Sequence, residues 1–148
     1  LGSVAGGRDK LVFVNNGFID GDIQRVIDQV AEPARQHGDQ VVTLTSESDL
    51  RDTCRTTLRG TSACIAATVF YSSPNEGLGG IWNYSIRADG SLGDRINTET
   101  STNAQEIYLL PLQHSVDRAI IQTNGSVDNG SIPDEVCLYY MSSLTGIC

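Results

Sequence analysis

Lysine is nearly missing from this chain. Lys10 is the only one in 148 residues, and lysine and arginine together number 10 against 18 acidic residues, for a net charge of −8. The arginines do not cluster, so no basic footprint for nucleic acid exists. An anionic membrane surface would repel such a chain. No apolar run approaches the ~18 residues of a membrane span. The four cysteines, Cys54, Cys64, Cys137 and Cys148, form no Cys-x-x-Cys pair and no Cys/His cluster, which weighs against zinc and thioredoxin-type chemistry. Before Lys10 stands Gly7-Arg8-Asp9 rather than a Gly-x4-Gly-Lys loop, so the lysine that would hold phosphates is missing. Gly77-Leu78-Gly79-Gly80 lacks the dinucleotide spacing and does not lead into a helix. His114 has no Gly-x-Ser-x-Gly elbow to act on.

What is present reads as one globular domain. Hydrophobic residues make up 39% and charged residues 19%, enough to build a core and too little charge for a disordered chain. Residues 1–9 read as a flexible linker, 10–122 as a single α/β domain and 123–148 as a loop-like tail. Lys10 to Val14 is an apolar strand closed by Asn15-Asn16-Gly17. Asp20 is placed to cap a helix whose apolar stripe is Ile19, Ile23, Val26, Ile27, Val30 and Ala34, with Asp22 outside and Pro33 ending or kinking it. A second strand runs from Val41 to Thr45. Ser46-Glu47-Ser48-Asp49 then opens a helix with Leu50, Cys54 and Leu58 on its narrow apolar side and Gly60 as its stop. Cys64 to Tyr71 is a continuous apolar strand suited to the centre of a sheet.

Strand-helix-strand-helix-strand predicts a parallel core with right-handed crossovers. The segment from Ser72 to Gly80 is too short for another helix, so the next strand should run antiparallel. A final helix is expected from about Ala104 to Gln122, interrupted by Pro111. The expected fold is thus α/β: a three-layer-like mixed sheet with a β-α-β-α-β core, one antiparallel strand and a C-terminal helix.

That antiparallel strand, Gly79-Gly80-Ile81-Trp82-Asn83-Tyr84-Ser85-Ile86-Arg87, alternates cleanly and holds the only tryptophan. Trp82 and Tyr84 suit either sheet-core packing or a contact surface for a ligand or lipid. Three N-glycosylation sequons start at Asn83, Asn124 and Asn129. The Tyr-x-Ile-Arg strand resembles one in the non-cytosolic domain of eukaryotic, fungal-type subfamily-A ATP-binding cassette transporters. So do the first strand Leu11–Asn16, the Glu47–Gly60 helix with its cysteine, Phe70-Tyr71-Ser72-Ser73-Pro74, and Ile107 to His114. The segment after Pro133 departs from that pattern.

The resemblance implies a non-catalytic extracytosolic domain of a membrane transporter that exports lipid-like substrates. Its partners would be the parent's membrane spans and nucleotide-binding domains, with the substrate itself as a further contact. It carries over no catalytic, cofactor or metal residues. With the sequons, it also favours a disulfide between Cys54 and Cys64 over two buried free thiols. A free-standing secreted ligand-binding protein or hydrolase is the alternative. His37 reads as a polar residue at a helix end and His114 as a structural histidine. Asp20 with Asp22, and Glu47 with Asp49 and Asp52, read as helix-start acids rather than metal ligands.

Overall fold

Three residues of the first strand, Val12, Phe13 and Val14, are completely buried, and the sheet is built around them. The computed structural model describes residues 8, 10–56, 58, 61–88 and 109–125. Within these, β1 (Lys10–Val14) pairs in parallel with β2 (Gln40–Leu44) on one side and with β3 (Cys64–Ser72) on the other. Strand β4 (Asn83–Ala88) runs antiparallel to β3, giving the order β2-β1-β3-β4. The mixed α/β sheet expected from the sequence is the sheet observed.

Alternation along the strands sends side chains to two different covers. On one face, Leu11, Phe13, Ala66, Phe70, Trp82, Tyr84 and Ile86 meet helix α1 (Asp22–Gln36) and helix α3 (Leu110–Asn124). These helices supply Ile23, Val26, Ile27, Val30, Leu112, Val116 and Ala119. On the other face, Val12, Val42, Leu44 and Ala67 meet Leu50 and the Cys54 and Cys64 pair. There a single 3-10 turn, Glu47–Asp49, runs into the short α2 (Leu50–Thr53). The α1 connection moves the chain to one side of β1 and the α2 connection moves it to the other, each across a different face. Connections of a single hand require that arrangement. Each large apolar side chain buried this way contributes roughly 1.5–3 kcal/mol, so the helical face carries most of the stability.

Several local expectations fail, each for a visible reason. Asp20 does not cap α1; the cap position is Gly21, which offers no side chain. Ile19 precedes the helix and is exposed, while Asp22 is buried rather than outside. Pro33 lies within α1 without ending it. Because it falls in the last turn, only one backbone bond is lost, and His37 still donates to its carbonyl at 3.1 Å. The second helix stops at Thr53, and Leu58 is fully exposed with no core to meet. Pro111 sits in the first turn of α3 (Leu110–Asn124), where its missing N–H is harmless. The expected start of that helix near Ala104, the Gly60 stop, Asn129, Cys137, Cys148 and the tail lie outside the described residues.

Candidate functional site

In doubly wound sheets, ligands bind beyond the carboxyl ends of the strands, where neighbouring connections diverge. Here that point lies between β1 and β3, and the chain fills it with its own carboxylate. Glu76 Oε2 accepts the Ile23 N–H at 2.9 Å and the Ser73 hydroxyl at 2.8 Å. The negative charge therefore sits on the positive end of α1, in place of the missing side-chain cap. Gly21 makes this possible, since a Cβ there would lie 1.8 Å from Glu76 Oε1. Beside it, the Asp22 carboxylate pairs with Arg25 and accepts from Asn75 Nδ2 at 2.6 Å. Asn16 Nδ2 donates to the Phe70 carbonyl at 2.8 Å, and Asn15 Oδ1 accepts the Gly17 N–H at 3.0 Å. Of these residues, Asn15, Asp22 and Ser73 are buried.

An open cavity of about 430 Å³ lies on the opposite face of the sheet, between α2 and the β3–β4 pair. Leu50, Ala66, Ala67 and the two cysteines line it, with Glu47, Arg51 and Arg87 among its polar residues. Arg87 comes from β4, and its guanidinium pairs with the Glu47 carboxylate and donates to the Tyr71 hydroxyl at 3.0 Å. The Tyr71 contact first, and the Glu47 charge after it, hold Arg87 above its ordinary pKa, so it is a permanent cation. Tyr71 is itself within 3.1 Å of the Ser85 hydroxyl. Arg51 has no hydrogen-bond or ion-pair partner among the described residues.

No family model, curated protein or solved structure matches this chain. Function must therefore be read from its own residues.

Cys54 and Cys64 are disulfide-bonded, with their Cα atoms 5.2 Å apart, and the bridge forms one wall of the cavity. Trp82 and Tyr84 both pack against the helical core while remaining half-accessible. The Trp82 indole N–H donates to Asn124 Oδ1 at 2.8 Å, and the Tyr84 hydroxyl bonds the Asp117 carboxylate on α3. Burial, then the hydrogen bond and charge of Asp117, push the Tyr84 phenol well above its usual pKa. Of the sequon asparagines, Asn83 is exposed at the start of β4 and Asn124 ends α3. His37 is the C-cap residue of α1. His114 lies in α3 with a buried Nε2 that has no hydrogen-bond partner among the described residues. The acids read as helix-start charges scatter: Asp22 goes to Arg25, Glu47 to Arg87 and Asp52 to Arg55.

Sequence reasoning missed both Glu76 and the grouping of Glu47, Arg51 and Arg87. A partial signal existed for the first. Ser73-Pro74-Asn75-Glu76 has Ser-x-x-Glu spacing, but the helix it serves starts more than 50 residues earlier. The second depends on the register of β4 against β3 and left no trace in spacing.

Proposed function

We propose that this chain is a non-catalytic extracytosolic domain of an ATP-driven transporter of lipid-like molecules, serving substrate access, gating or contact with the rest of the transporter. The observation that carries the non-catalytic part is the Glu76 carboxylate seated on α1. The crevice where this type of sheet would hold a substrate or cofactor is already occupied by the chain itself. The Cys54–Cys64 bridge supports an oxidising compartment, and exposed Asn83 is open to a glycan. The transporter assignment rests on the resemblance of the Trp82–Arg87 strand and its companion segments.

Cell fractionation tests this reading. An antibody raised against the domain should detect a glycosidase-sensitive protein that stays with membranes through alkaline carbonate washing. It should label intact cells or sealed organelles only from the extracytosolic side. Recovery of the antigen as a soluble species in the medium or lumen would reject the transporter reading and favour a free-standing secreted protein.

A further inference from the structure

The chain carries a net charge of −8, yet the described residues that line the cavity beside β4 sum to the opposite sign. Among the described residues, the charged side chains that line it are Glu47, Arg51 and Arg87, two cations and one anion. Glu47 and Arg87 neutralise each other, and Tyr71 fixes the direction of the Arg87 guanidinium. Arg51 is the remainder. It lies on α2 above an apolar floor of Leu50, Ala67 and the Cys54–Cys64 bridge. A volume of about 430 Å³ falls in the range of small-molecule sites.

We propose that this cavity binds a small amphipathic organic monoanion, a carboxylate on a short apolar body. One uncompensated cation calls for one negative charge. A phosphate dianion would leave the site negative in an already acidic protein. The carboxylate would accept paired N–H bonds from Arg51, the planar fork that guanidinium groups present to carboxylates. The apolar body would lie against Leu50, Ala67 and the disulfide, displacing water from their apolar surface. Arg87, already held and compensated by Glu47 and oriented by Tyr71, would form a fixed wall rather than the main contact. The proposal does not depend on the transporter reading, since a secreted binding protein would use the same cavity.

An NMR titration of the labelled full chain, using octanoate, 1-octanol and inorganic phosphate as probes, tests it. Octanoate should give saturable shifts at the Arg51 and Arg87 side-chain N–H groups and at the Ala67 methyl. It should bind at least about fivefold more tightly than either other probe, the size expected from one charge-assisted contact at a partly open site. Arg51→Gln should weaken octanoate by about five- to tenfold and leave 1-octanol unchanged, with Arg51→Lys recovering part of the loss. Arg51 is exposed, so the variants should keep the parent spectrum elsewhere. Phosphate binding as tightly as octanoate would show a bare anion site and overturn the proposal. So would equal binding of octanol, or no saturable shift at these residues.

Discussion

Glu76 and Tyr84 are the two side chains whose chemistry differs most from what their neighbours in sequence suggest. Glu76 takes two hydrogen bonds and faces the positive end of a helix that starts more than 50 residues earlier. Glu76→Ala leaves the Ile23 N–H and the Ser73 hydroxyl without that acceptor, and should lower stability by about 1–3 kcal/mol. Glu76→Gln, which keeps an acceptor oxygen, should lose less. Urea unfolding of the three proteins checks the order, and equal midpoints would remove Glu76 from its role as the cap. Tyr84 titrates in the opposite sense to most stabilising groups. Its phenol is held protonated in the folded protein by burial and by Asp117. An unfolded tyrosine ionises near pH 10. The contribution of Tyr84 is therefore complete below about pH 10 and is lost as pH rises beyond it. Tyr84→Phe should flatten the alkaline fall in stability relative to the parent, measured by denaturant midpoints across that range. Parallel curves for the two proteins would contradict the Asp117 contact.

At the scale of elements, the disulfide and β4 set how the short α2 side and the helical side are held. The bridge joins residues 10 apart in sequence, and in the chain-entropy picture closing so short a loop stabilises by about 2.5–3 kcal/mol. Replacing both cysteines by alanine should lower stability by that amount, read from chemical unfolding. A loss under about 1 kcal/mol would mean that α2 holds its place by packing alone. Just before β4, Trp82→Ala should cost about 2 kcal/mol, less than a fully buried aromatic would, because the residue is only partly buried. Arg87→Ala removes an exposed ion pair and should cost under about 1 kcal/mol. Denaturant unfolding that ranked Arg87 above Trp82 would reverse this account of the strand.

Strands and α1 were legible from sequence because their patterns match what they bury. Val12 to Val14 and the run from Cys64 are apolar on both faces, and Ile23, Val26, Ile27 and Val30 recur at helical spacing. Leu50, Cys54 and Leu58 recur at the same spacing, yet the backbone leaves helical geometry at Cys54. A spacing rule cannot tell that Leu58 will have no surface to cover. Charge was least legible. Asp22 read as an exposed residue, whereas Asn75 and Arg25 make it a buried one.

For the molecule as a whole, no phosphate-holding loop precedes α1, and its N-terminus already faces the Glu76 carboxylate. The purified domain should therefore release no phosphate from magnesium–ATP above the buffer rate. Turnover that a substitution within this chain abolished would overturn the non-enzyme reading. Among the described residues, strand β4 is also an edge of the sheet, the kind of border that invites pairing with another chain. A glycan on exposed Asn83 would shield it. One more consequence concerns light. The only indole in the protein is hydrogen-bonded to the last residue of α3 while its ring rests on the core. Its emission colour thus registers whether that helix is seated against the edge strand, and the protein carries its own optical gauge of the junction.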